Sequence, residues 1–180
     1  QGPSKSWYEN GQLKTEEFYS SDEIDGDRKE WFESGTLRYV GSFQKGKKHG
    51  LFEAWNEEGA MLLHATYDSD LPIGEAKTWY EKGKVKEVLH YVAGKKEGEL
   101  LEYYPNGQMK ARAFYQDDLI EGKLEGWYED GSLWIAKNFH KGVPVGEQKE
   151  FYAKDPDASK NDQPRIFQLF FLILNSKWCR

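Results

Sequence analysis

The sequence predicts an all-β fold, an elongated, twisted antiparallel meander of tandem 24-residue β-hairpin repeats with a C-terminal capping segment. Three observations carry the prediction. Glycine recurs at positions 11, 35, 59, 83, 107 and 131 and again at 26, 50, 74, 98, 122 and 146, and such a fixed spacing marks a repeat architecture. Aromatic and aliphatic columns keep the same register: Trp7, Trp31, Trp55, Trp79, Tyr103, Trp127 and Phe151, then Leu13, Leu37, Met61, Val85, Met109 and Leu133, then Tyr19, Phe43, Tyr67, Tyr91, Tyr115 and Phe139. Finally, the segments between glycines run about six residues, too short for helices but ordinary for strands.

Each unit opens on a tight turn, read at Glu9-Asn10-Gly11, Glu33-Ser34-Gly35, Glu57-Glu58-Gly59, Glu81-Lys82-Gly83, Pro105-Asn106-Gly107 and Glu129-Asp130-Gly131. Asn-Gly or Asp-Gly between apolar runs signals a hairpin because both residues tolerate positive φ. The strand that follows alternates with period two, as in Met61, Leu63, Ala65 and Tyr67 against His64 and Thr66, so one face is drier. A looser turn comes next, as in residues 46–50, 70–74, 94–98 and 142–146, and then the second strand. A two-residue tight turn places Tyr8 opposite Leu13, Phe32 opposite Leu37 and Tyr104 opposite Met109. The other face then sets Trp7 against Lys14, Trp31 against Arg38, Trp79 against Lys86 and Tyr103 against Lys110, as cation–π contacts. A longer loop swaps those partners.

One hairpin buries too little surface to stand alone, so stacking of successive hairpins must supply the rest. The second glycine column is expected to leave room for neighbouring rings. Gln1-Gly2-Pro3-Ser4 resembles the remnant of a cleaved tag and is set aside, leaving the array over residues 5–152. A polar linker follows over 153–164, and then an apolar segment over 165–180. There Ile166, Phe167, Phe170, Phe171, Leu174 and Trp178 are too apolar to stay exposed and too few to span a bilayer. That segment is expected to cap the last hairpin as a strand or short helix. The alternatives are docking on a partner, including the tail of a second copy, and shallow membrane insertion.

The unit Tyr104-Pro105-Asn106-Gly107-Gln108-Met109-Lys110, followed by Tyr115, Gly122 and Gly126-Trp127-Tyr128-Glu129-Asp130-Gly131, resembles the MORN repeat in its variant form. Runs of this variant occur in bacterial YwqK-type antitoxins. The resemblance covers residues 7–152, with Asn56 in place of the second aromatic and prolines 72 and 144 in the looser turns as departures. It implies a β-hairpin solenoid used for binding, an antitoxin or immunity role in its sharpest form, and no catalytic residue.

With 31 Asp and Glu against 25 Lys and Arg, the chain carries a net −6, which argues against nonspecific nucleic-acid binding. At 16% aromatic and 38% hydrophobic, with a mean hydropathy of −0.88, it has many rings and few aliphatics, as suits a thin sheet. Its single cysteine, Cys179, excludes an intrachain disulfide. The compartment stays open, with the cytoplasm slightly favoured and a removed upstream signal still admissible. Four histidines at positions 49, 64, 90 and 140 share no phase of the repeat. The sequence contains no His-Glu-x-x-His and no phosphate loop, so no catalytic residue, metal site or cofactor is assigned.

The expected partner is another protein, in the sharpest version a toxin. Trp31, Trp55, Trp79, Tyr103 and Trp127 are candidate anchors, since exposed tryptophan rows are typical of interfaces, although packing over lysine stems explains them too. Positions that vary between repeats, Arg28, Phe52, Ala76, Leu100, Leu124 and Gln148, are expected to set specificity. Glu9, Glu33, Glu57, Glu81 and Glu129 form a carboxylate column, read chiefly as a solvated turn flank. The alternative partner is an anionic membrane, met through Lys45, Lys47, Lys48, Lys95, Lys96, Lys141 and the tail.

Overall fold

The computed structural model describes residues 2–151, which form one antiparallel sheet of sixteen strands and no helix. In chain order the strands are β1 (Gly2–Trp7), β2 (Leu13–Ser20), β3 (Glu23–Ile24), β4 (Gly26–Trp31), β5 (Leu37–Gln44), β6 (Lys47–Trp55), β7 (Met61–Asp68) and β8 (Leu71–Trp79). They continue as β9 (Val85–Val92), β10 (Lys95–Lys96), β11 (Gly98–Tyr103), β12 (Met109–Gln116), β13 (Leu119–Ile120), β14 (Gly122–Trp127), β15 (Leu133–His140) and β16 (Val143–Glu150). Neighbours in sequence are neighbours in space throughout, so the sheet is an open meander. The pairs β3 with β4, β10 with β11, and β13 with β14 are each one strand interrupted at a bulge, equivalent to the unbroken β6 and β8. β1 begins at Gly2, pairing Gly2 with Tyr19 and Pro3 with Phe18, so Gly2, Pro3 and Ser4, set aside on sequence, lie in the sheet. The linker and the apolar C-terminal segment lie outside the described residues.

The two kinds of turn exchange the geometries expected of them. At the Asn-Gly site the loop has three residues. Phe32 N–H donates to Thr36 O at 2.9 Å, Gly35 N–H donates to Phe32 O at 2.9 Å, and Trp31 pairs with Leu37. Only the glycine is left-handed, with φ between 75° and 92° at Gly11, Gly35, Gly59, Gly83, Gly107 and Gly131. This is a type I turn followed by a left-handed glycine. Glu58 and Lys82, which stand where Asn stands elsewhere, keep negative φ in it. The looser turns are the two-residue ones. Lys45-Gly46 (φ 50° and 72°), Ser69-Asp70 (51° and 71°) and Asp117-Asp118 (50° and 66°) all have both residues at positive φ, the signature of type I′.

The longer loop corrects the predicted partners. Trp7 faces Leu13, Trp55 faces Met61 and Trp79 faces Val85, and the next residue is bulged out of register. The cations therefore lie over the other ring of each unit: Lys14 over Tyr8 (5.4 Å), Arg38 over Phe32 (5.7 Å), Lys86 over Tyr80 (5.8 Å) and Lys110 over Tyr104 (5.9 Å).

Period-two alternation then assigns the core. Tyr39, Phe52, Ala54, Ala65 and Tyr67 form one buried cluster, and Leu89, Tyr91, Leu100, Ala111, Ala113, Tyr115, Leu124, Ile135 and Phe139 form another, with Ala76 packed against both. Phe52 is the hub of the first cluster, edge-on to Tyr39 (6.0 Å), Phe43 (5.3 Å) and Tyr67 (4.9 Å). Gly41 makes that crowding possible, since a Cβ there would sit 2.6 Å from the Phe52 ring. In the second glycine column only Gly26 lies against a ring, where an added Cβ would meet Phe18 at 3.4 Å, and the others serve the backbone. Gly74, Gly98, Gly122 and Gly146 hold φ of 68° to 82°, and an added Cβ at any of them meets nothing within 4 Å.

Candidate binding surfaces

The residue before each column tryptophan faces the core: Glu30, Ala54, Thr78, Glu102 and Gly126. Alternation therefore turns Trp31, Trp55, Trp79, Tyr103 and Trp127 to the opposite face, where all five stay half-buried. Each pairs across the three-residue turn with Leu37, Met61, Val85, Met109 and Leu133, also half-buried. Ring and aliphatic alternate in a stripe along the outer face, ending at Trp7, which is 58% exposed.

A second ladder runs beside this stripe along the turns. Tyr8, Tyr80, Tyr104 and Tyr128 donate their hydroxyls to the backbone O of Trp31, Tyr103, Trp127 and Phe151, at 2.7, 2.8, 2.8 and 3.0 Å. Asn10 and Asn106 donate from Nδ2 to the O of Glu33 and Glu129 in the next turn. Asn56, which replaces an aromatic, donates to Glu81 O at 3.0 Å, so that departure from the repeat keeps the link between turns. The sequence reading missed this ladder, although its column, Tyr8, Phe32, Asn56, Tyr80, Tyr104 and Tyr128, directly follows the tryptophan column. The carboxylates Glu9, Glu33, Glu57, Glu81 and Glu129 are exposed along the same edge.

The core face also holds charge. Glu102 is 7% exposed and ion-paired to Lys110 Nζ at 2.5 Å. Directly across the strand pair stands Glu87, and next beyond it Thr78. Burial, and then the Glu102 charge, push the Glu87 carboxyl up to about 7 against the pull of Lys96, Lys86 and Lys110. On the outer face Glu125 is buried as well. Its desolvation is outweighed by Lys123 and Arg112, at 2.5 and 2.7 Å, and its carboxyl is held below the ordinary range.

Three residues expected to set specificity prove to be core. Phe52, Leu100 and Leu124 are 2%, 1% and 3% exposed, because their strand positions alternate with the outward tryptophans. Their variation between repeats tracks packing. Arg28 occupies the same position in the first hairpin and lies among Glu17 (3.1 Å) and Glu30 (2.7 Å). Among the lysines of the two-residue turns, Lys48 covers the Phe52 and Tyr67 rings (5.7 and 5.0 Å), Lys96 covers Tyr115 (5.3 Å) and Lys95 pairs with Asp117 (2.8 Å). Ile166, Phe167, Phe170, Phe171, Leu174 and Trp178 lie outside the described residues.

The profile of the family described as MORN repeat variant matches residues 1–21, 24–45, 72–93 and 96–117. Each matched segment holds one hairpin, two successive long strands and the three-residue turn between them. No curated protein matches the chain.

Proposed function

Because the chain is a MORN-repeat protein, and such repeats are binding modules and not a known enzyme family, we propose that it binds another protein through the outer-face stripe of Trp31, Trp55, Trp79, Tyr103 and Trp127. The observation that carries this reading is the pairing of each ring with a half-buried aliphatic on a face that the core does not use. Preorganised rings in a row lose little side-chain freedom on contact and are efficient interface anchors. The carboxylate edge beside the stripe favours approach of a basic partner. Neutralisation of a toxin is the sharpest form of this function, and it rests on the resemblance to YwqK-type antitoxins.

The test is affinity capture from source lysate, with the native chain beside a Trp55→Ala/Trp79→Ala variant. One stoichiometric protein held by the first and lost by the second supports the reading. Equal retention by both overturns the stripe as the contact surface. If the captured protein arrests growth, co-expression with the native chain is expected to restore growth and co-expression with the variant is not. Flotation with anionic vesicles and no protein captured would replace this function with the membrane-scaffold reading. That reading has less to draw on, since Lys48, Lys95 and Lys96 are engaged within the sheet.

A further inference from the structure

At the three-residue turn edge a recess of about 460 Å³ opens between the β8–β9 hairpin and its neighbours, with Leu62, Tyr80 and Pro105 as apolar walls and Lys82, Lys84 and Lys86 at its rim. Trp79 and Glu81 also line it, and the backbone O of Glu81 already accepts from Asn56. Comparison along the repeat shows what this site lacks. Position 38 carries Arg38, which reaches Glu30 at 3.8 Å, and the equivalent Lys110 reaches Glu102 at 2.5 Å. In both hairpins the cation sits over a ring and is neutralised by a carboxylate on the core face.

Lys86 sits over the Tyr80 ring in the same way, but the carboxylate position is Thr78. The Thr78 hydroxyl is buried without a hydrogen-bond partner. Among the described residues no carboxylate lies within ion-pair distance of Lys82, Lys84 or Lys86. Lys14 also lacks a carboxylate, yet its neighbour Ser6 is satisfied by Thr15 at 2.7 Å, and Asn10 and Gln12 replace the flanking lysines. Three cations without an ion pair among the described residues thus gather around apolar walls in a chain whose net charge is −6, and of the three only Lys86 feels the field of the half-buried Glu87.

We propose that this recess receives an acidic segment of a partner protein, a carboxylate settling among Lys82, Lys84 and Lys86 while an adjacent apolar side chain packs on Leu62, Tyr80 and Pro105. The proposal rests on the protein-binding reading above and adds a second, chemically distinct contact at the edge of the stripe. The incoming carboxylate takes the role that Glu30 and Glu102 play for their own cations. A half-desolvated lysine with a ring beneath it binds a carboxylate more strongly than a fully hydrated one does.

The experiment titrates the full chain with acetyl-Glu-Glu-Phe-Glu-Glu-amide and with its all-Gln twin by isothermal calorimetry. The acidic peptide is expected to bind at least about tenfold more tightly than the neutral one, with affinity falling as salt rises. Lys82→Glu/Lys84→Glu leaves the ring contact of Lys86 intact and is expected to weaken binding by about tenfold or more, as is Lys86→Glu. Lys14→Glu, which alters the same geometry without the recess, is expected to leave binding unchanged. Absence of binding, equal affinity for the two peptides, or an equal loss in the Lys14 variant would each overturn the proposal. A peptide that fails while Trp55→Ala/Trp79→Ala still loses its captured protein overturns the recess alone and leaves the stripe standing.

Discussion

The first and second hairpins share one backbone plan and fill the same core-face positions with opposite chemistry. Arg28, Glu30 and Glu17 form an ion cluster where the following unit has Phe52, Ala54 and Gly41. The Arg28 side chain is 29% exposed, whereas Phe52 is 2% exposed. Both hairpins keep the same turns and pairing register, so the frame is held by backbone ladders and left-handed turn residues. What differs is the stability each unit draws from its filling. Removing one residue from each tests that difference. Phe52→Ala empties the hub of three ring contacts and is expected to cost about 3–5 kcal/mol, whereas Arg28→Ala removes a partly solvated ion pair worth about 0–1 kcal/mol. Urea unfolding of the two variants reads the gap, and equal losses would mean that the ionic hairpin is as strong a core as the aromatic one.

A third kind of filling is the titrating one. Glu87 faces Glu102 and Thr78 across its strand pairs and feels Lys96, Lys86 and Lys110. Its folded carboxyl keeps its proton up to about 7, while the unfolded one releases it near 4.5. Between these values the folded state binds more protons, so stability falls as pH rises through this window and levels off above it. At about 1.4 kcal/mol per pKa unit the fall is on the order of 3–4 kcal/mol. Glu87→Gln is expected to remove that slope, leaving the variant more stable than the native chain at pH 8 and about equal at pH 5. Parallel pH dependences of the urea midpoint would show that Glu87 is not the group responsible.

The frame itself is probed at the bulges. Gly98→Ala forces an L residue to φ 82° with open space around the new methyl, so its cost is conformational, about 1–2 kcal/mol. Gly98→Asn should recover part of this, because asparagine tolerates the left-handed region. If alanine costs nothing, the glycine column is not holding the frame that the ionic and aromatic hairpins share.

The repeat, the strand count per unit and the face alternation were all legible in the columns, because a 24-residue period imposes one answer six times. The turns were misassigned because Asn-Gly fits both a two-residue loop and the end of a three-residue one. The two loops differ by one residue, and residue identity does not separate them, because lysine takes the first left-handed position of a two-residue turn at Lys45 and Lys141. That single residue shifted the ring and cation partners and made the Tyr8, Tyr80, Tyr104 and Tyr128 ladder invisible. Arg28, Phe52, Leu100 and Leu124 were read as specificity positions because they vary. Variation in a thin sheet equally reflects whether rings, aliphatics or ions fill the core face. The Glu87 and Glu102 opposition and the orphaned Thr78 hydroxyl needed cross-strand register, which spacing alone does not fix.

The tyrosine ladder decides whether the turn edge belongs to the frame or to the filling. Tyr104 donates to Trp127 O at 2.8 Å, and burial, followed by the nearby Glu102 and Glu129 charges, pushes its phenol up to about 12, so the hydroxyl stays a donor across the stable pH range. Phe32 occupies the same position in another hairpin and supplies no hydroxyl, yet its turn closes with the same two backbone hydrogen bonds. The link between turns is therefore dispensable in at least one unit, and Tyr104→Phe is expected to cost about 0.5–1.5 kcal/mol globally. Hydrogen exchange should localise the change, with faster exchange at the amides of Tyr128 and Gly131 and little change at strands β5 to β7. A loss as large as that of Phe52→Ala would place the ladder in the frame and make the turn edge, not the ring cluster, the main source of stability in the sheet.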